Sequence, residues 1–271
     1  MGCTQGKAIE KALCRKYKAY SSFCFYLKEN VGLFSFQMTE KESPQTIDQA
    51  KIILPFKAII FDMDGTLLES TEADYRAWER TYKVYGKVLT YDNYTPLLGI
   101  RSADVIRNYL GFTDEEDVKR ILQEKFDHFV DHVNEHPVVP VPGAIAFLKN
   151  LSKYAIKVGL ATSSRQAKTM LLLKRLDLFS YFDAIVTGEQ VNNGKPSPEI
   201  FLKAAEKLNT QPIDCVVVED GPIGVTAAKG AGMKCIAIST THPPEKLGQA
   251  DCTIVGYENV NFPELLSKLL M

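Results

Sequence analysis

From residue 52 onward the chain is punctuated by short apolar runs: Ala58 to Phe61, Ile156 to Ala161, Ala184 to Val186, Cys215 to Val218, Cys235 to Ile238 and Thr253 to Val255. Runs that are apolar throughout belong to strands buried on both faces. Helical periods lie between most of them, as at Gln166 to Leu176, Pro198 to Leu208 and Gly224 to Ala231. Strand and helix in alternation predict an α/β fold, a Rossmann-like parallel sheet with helices on both sides. Ligands in such folds bind where the strands end, at their carboxyl edge.

One interval breaks the rhythm. Residues 72–139 hold no convincing strand but show helical stretches at Glu72 to Tyr85, Ser102 to Leu110 and Asp114 to His136. They read as a helical cap inserted after the first strand, dividing a core of residues 51–71 and 140–271. An insertion at a strand's carboxyl end is well placed to act as a lid. Tyr75, Trp78, Tyr82 and Tyr85 recur there at helical spacing and read as packing within the cap. His128, His132 and His136 read as a solvated face.

The strand ends carry the chemistry. The first apolar run leads into Asp62-Met63-Asp64-Gly65-Thr66, where alternation brings two carboxylates to one side before an Asp-Gly turn. Such a pair suits a magnesium ion and a reacting phosphate, but a strand followed by a turn with solvated acids accounts for it equally well. The second run ends in Thr162-Ser163-Ser164-Arg165 at a helix start, an anion seat or simply a cap. Lys195 stands in Gly194-Lys195-Pro196-Ser197-Pro198, either a solvated loop residue or, with the prolines restricting the chain, a fixed point charge suited to phosphate. The fourth run ends in Glu219-Asp220-Gly221, two acids that an apolar sheet cannot satisfy and that call for a cation or, as an acidic cap on the helix from Gly224, for a helix N-terminus.

Composition sets outer bounds. The 271 residues are 45% hydrophobic and 24% charged with a formal charge of −1, so no overall basic field attracts nucleic acid or anionic membrane. No apolar run approaches the length of a membrane helix. Cys215, Cys235 and Cys252 fall in strand-like runs, without zinc or disulfide spacing, and read as free thiols in a reducing, cytoplasmic compartment. Residues 1–50 read as a poorly ordered extension. Its first 37 residues carry six basic side chains against Glu10 and Glu29, a loose match to an organellar presequence.

In this order, Asp-x-Asp-Gly-Thr, a Thr/Ser strand end, a Lys before Pro and Glu-Asp-Gly, the motifs resemble those of the haloacid dehalogenase superfamily over residues 55–260. The place of the insertion is similar to that of the subgroup containing β-phosphoglucomutase and small sugar-phosphate phosphatases. The resemblance implies that Asp62 is a nucleophile forming an aspartyl-phosphate, and that Asp64 is an acid/base whose backbone carbonyl joins the metal. It implies magnesium held by Asp62 and Asp220 with Glu219 as a further acid, and phosphoryl charge spread over Thr162, Lys195 and the backbone around Met63 and Ser163. Thr66, Ser163, Arg101 and Arg165 are expected to bind substrate.

The mutase's histidine, lysine and arginine have Asp74, Leu98 and Ser102 in their places here. The expected activity is therefore a magnesium-dependent phosphatase for a small phosphorylated metabolite such as a sugar or polyol phosphate, on a monomer or weak dimer. A phosphomutase is the alternative, ahead of a dehalogenase or a non-catalytic phosphate-binding protein.

Overall fold

The computed structural model describes residues 54–258 and 260–269. The expected extension, residues 1–50, lies outside them. Strands β1 (Ala58–Phe61), β2 (Lys157–Thr162), β3 (Ala184–Thr187), β4 (Cys215–Glu219), β5 (Lys234–Ile238) and β6 (Cys252–Ile254) form one sheet in the order β3-β2-β1-β4-β5-β6. All pairings are parallel. Each apolar run of the sequence thus became a strand, within a residue or so at its ends. The order reverses at β1, with β2 on one side and β4 on the other, so the ends of these three strands meet at the switch point where α/β folds bind ligands.

Alternation along the strands builds two cores. Ile59, Phe61, Val216 and Val218 point to one face of the sheet; Ala58, Ile60, Cys215 and Val217 point to the other. We label the longer helices α1 (Thr71–Val84), α2 (Glu115–Glu135), α3 (Ala144–Leu151), α4 (Gln166–Arg175), α5 (Glu199–Lys207), α6 (Pro222–Gly230) and α7 (Phe262–Lys268). The first core is closed by Phe147, Leu148, Leu172 and Phe262 of α3, α4 and α7, the second by Ile200, Phe201 and Val225 of α5 and α6. Each fully buried Leu, Ile or Phe contributes roughly 1.5–3 kcal/mol. Cys215 and Cys235 are buried free thiols. Among the described residues no helix is long and apolar enough to cross a membrane.

The helical insertion runs between β1 and β2. Helices α1 and α2 pack along each other around a core of their own that includes Tyr75, Trp78, Tyr82, Tyr94, Ile106 and Ile121. Tyr75, Trp78 and Tyr82 of the aromatic stripe are buried in this core, with Tyr85 packed against it. Asp114 caps α2, accepting from the backbone N–H groups of Glu116 and Asp117, and acidic residues fill the first turn where the helix dipole favours them. At the base of the insertion, Ala73, Ala77, Phe129 and Val133 join the first core of the sheet, which fastens cap to core.

The chain crosses between the two parts along neighbouring segments. Glu69 N–H donates to Val139 O at 2.9 Å and Val141 N–H to Leu67 O at 2.9 Å, so the outgoing and returning strands lie side by side.

Candidate active site

The end of β1 explains the spacing of its motif. Asp62 N–H still bonds to Val218 O at 3.0 Å, after which Leu67 and Leu68 donate back to Met63 O and close a tight turn. Gly65 lies in that turn at φ +78°, and a Cβ there would stand 2.3 Å from Asp220 Oδ2. Only glycine tolerates both the dihedral and the approach. Thr66 next to it is fully buried and donates to Asp220 Oδ1 at 2.8 Å, while Thr241 donates to Oδ2. Thr66 thus orients Asp220 instead of facing the cavity.

Lys195 is the hub of the acids. Its ammonium is buried, 2.6 Å from Asp62 Oδ1 and 2.5 Å from Glu219 Oε1. The second Glu219 oxygen accepts from Gly221 N–H at 2.7 Å, at the start of α6. A Cβ on Gly224 would fall 1.8 Å from Glu219 Oε1, so the glycine lets the carboxylate lie against the helix. Both Glu219 oxygens are engaged by protein groups, which makes it the fixer of Lys195.

Asp64 is held on three sides. Its Oδ1 accepts from Ser70 Oγ and lies 2.8 Å from Lys168 Nζ; its Oδ2 accepts from Ser164 Oγ at 2.5 Å. Thr162 accepts from Ser164 N–H at 3.1 Å and so shapes the turn that delivers this hydroxyl. Ser163 Oγ is buried and has no hydrogen-bond partner in the protein. An orphaned buried hydroxyl is costly, and this one lines the cavity where an anion would satisfy it.

Asp62, Asp64, Thr162, Ser163, Glu219 and Asp220 line one cavity at the strand ends. Asp74, Trp78, Leu98 and Gly99 face it from the insertion, and His242 lines it from the loop after β5. Asp74 stood in the sequence only as a replacement for a histidine; in the fold its carboxylate binds both Lys125 and Lys168.

Arg101 and Arg165 are elsewhere. The Arg101 guanidinium pairs with Asp104 and donates to Val191 O at 2.8 Å; that of Arg165 binds Glu189 and donates to Leu122 O at 3.1 Å. Neither lines the cavity. Each instead bonds across the boundary, Arg101 from cap to core and Arg165 from core to cap.

The charges do not balance without a cation. Asp62 and Glu219 share the ammonium of Lys195, while Asp220 is held by the hydroxyls of Thr66 and Thr241. Burial, against the pull of Lys195 and with the push of Glu219 and Asp64, drives the Asp62 carboxyl up to about 7. Burial together with Glu219 and Asp62 drives Asp220 well above the usual range. No group of three or more His, Cys, Asp and Glu side chains stands ready to hold a metal among the described residues. Magnesium does not require one, since it takes one or two carboxylates and keeps several waters. The acid excess and the oxygen-only donors fit magnesium on Asp62, Asp220 and the Asp64 backbone.

Parallel sheet, inserted cap and acid cluster define an α/β protein whose candidate site lies between cap and strand ends. The chain belongs to the haloacid dehalogenase-like hydrolases, whose family model matches residues 59–238. It is 40% identical over 185 residues to the phosphorylated carbohydrates phosphatase of Thermotoga maritima, covering 66% of this chain and 83% of that protein. With the β-phosphoglucomutase of Bacillus subtilis it shares 32% over 194 residues, 69% of this chain and 85% of the relative. Among solved structures it resembles the β-phosphoglucomutase of Clostridium difficile with a TM-score of 0.72 at 27% identity, over 79% of this chain and 97% of the other. The chain is thus an enzyme, a hydrolase of the phosphatase type.

Proposed function

We propose that this enzyme is a magnesium-dependent phosphatase of a small sugar or polyol phosphate, working through an aspartyl-phosphate on Asp62. The observation that carries the reading is the shared cavity of Asp62, tied to Lys195, and Asp64, with Asp220 beside them. The carbohydrate class draws support from the phosphatase of phosphorylated carbohydrates to which the chain is similar.

Asp62 attacks phosphorus as the ester P–O bond breaks, and Asp64 gives its proton to the departing alcohol. Asp64 then takes a proton from water, whose oxygen displaces Asp62 and frees phosphate. Two easier steps replace one hard one. Lys195, the Ser163 hydroxyl and the backbone at the β2 end spread the charge of the transferring group. Asp62, Asp220 and the Asp64 backbone carbonyl would hold magnesium, which would supply the positive charge that this acid cluster lacks against a phosphate dianion.

The test is turnover of glucose 1-phosphate, fructose 1-phosphate and glucose 6-phosphate. Free phosphate as the product, dependent on magnesium and abolished by chelator, is expected. Asp62→Asn should fold normally and lose about 10³-fold or more in turnover. Glucose 6-phosphate formed from glucose 1-phosphate would identify a mutase instead, and near-normal turnover of Asp62→Asn would exclude the covalent route.

A further inference from the structure

Four charges alternate in sign across the boundary between cap and core. Lys125 on α2 pairs with Asp74 on α1; Lys168 on α4 lies 2.9 Å from the same Asp74 oxygen and 2.8 Å from Asp64 Oδ1. Both lysine side chains are only 6% exposed, and Lys168 Nζ sits 4.9 Å from the Phe129 ring centroid. Ammonium groups so far from water are retained only where other charges hold them. Asp74 alone needs one lysine. It has two, and the surplus positive charge is directed at Asp64.

We infer that Lys168 is a positioning residue for Asp64, held over it by Asp74 and Lys125, so that seating of the cap and orientation of the acid/base carboxylate are one event. This rests on the reading of Asp64 as the acid/base. Three donors fix the plane of the Asp64 carboxylate: Ser70, Ser164 and Lys168. Of these, only Lys168 is also ion-paired to a helix of the insertion. When α1 and α2 are in place, Asp74 fixes the ammonium; when they move away, Lys168 stays with the core but loses the carboxylate that fixes it over Asp64 Oδ1. A carboxylate that must face the leaving oxygen and then water is sensitive to small displacements, since about 1 Å of misplacement can slow a reaction about 10²-fold.

Steady-state kinetics test this on whichever of glucose 6-phosphate, fructose 1-phosphate and glucose 1-phosphate the wild type hydrolyses fastest. Lys168→Met should lower kcat by about tenfold to hundredfold while KM stays within about threefold, because Lys168, although it lines the cavity, acts through the acid/base carboxylate it is paired with. Lys168→Arg should restore part of the loss. Asp74→Asn should show the same split, and the double variant should be no slower than Lys168→Met alone, since one residue acts through the other. An unchanged kcat in folded Lys168→Met overturns the inference. So does a raised KM at constant kcat, which would make Lys168 a substrate ligand. Should Lys168→Met fail to fold, Asp74→Asn decides: a fall in kcat at constant KM supports the inference and an unchanged kcat overturns it. A wild type inert toward every phosphate monoester would sink the phosphatase reading and this inference with it, whereas an active wild type indifferent to these changes sinks the inference alone.

Discussion

At the scale of the residue, the site is governed by close approaches that glycine permits. Gly65 and Gly224 each lie where a single carbon would strike a carboxylate, Asp220 in one case and Glu219 in the other. Gly224→Ala should push Glu219 off Lys195. We expect turnover to fall at least about tenfold and stability by about 1–3 kcal/mol, read from kcat and a urea melt. The convergence of Asp62, Asp64, Glu219 and Asp220 was legible in the sequence because each sits in a short motif at the end of a recognisable strand, and Lys195 because prolines restrict its turn, well past the end of β3. Ser70, Ser164, Lys168 and Thr241 were not, because their roles depend on elements brought together from distant parts of the chain. Lys125 did leave a signal. It stands at the fourth residue after Ile121 and the fourth before Phe129, on the stripe of buried residues Val118, Ile121, Phe129 and Val133. A lysine on the apolar face of an amphipathic helix calls for a buried acid, and Asp74 is that acid.

At the scale of the element, α2 serves two cores. Its first half, with Val118 and Ile121, packs inside the insertion; its second half, with Phe129 and Val133, packs against the sheet. Ile121 is fully buried in the smaller cluster. Ile121→Ala should therefore cost about 2–5 kcal/mol by leaving a cavity, and the loss should fall on the cap. Hydrogen exchange checks this: amides of α1 and the first half of α2 should exchange faster while those of β1 and β4 keep their protection. The periodicity of both helices was plain in the sequence. Helix α3 was not anticipated, because Ala144-Ile145-Ala146-Phe147-Leu148 is apolar without a helical period and follows a proline-rich stretch. Buried against the sheet by Phe147, Leu148 and Leu151, it needs no polar face there.

At the scale of the whole molecule, the pairing of cap to core should show in the response to acid. Burial raises the Asp74 carboxyl, but the ammonium groups of Lys125 and Lys168 more than offset this and hold it well below the usual range. A carboxyl depressed in the folded state contributes stability that is fully present above its unfolded value of about 4 and is lost as pH falls through the lower folded value. Wild-type stability should therefore drop below about pH 4 with up to about 1.4 kcal/mol per pH unit from this one group. Asp74→Asn should remove that share of the slope, as measured by urea unfolding from pH 2 to 6; an unaltered slope would show that the pair is not formed in solution. The way the insertion is tied on has a separate consequence. Because the outgoing strand at Leu67 and Glu69 runs beside the returning strand at Val139 and Val141, the insertion starts and finishes at one spot on the surface of the sheet domain. It is a graft on a single stem. Helices of another length or sequence can be spliced onto that stem where they still fill the places of Ala73, Ala77, Phe129 and Val133 against the sheet, so the roof over the carboxylates can change while the floor stays as it is.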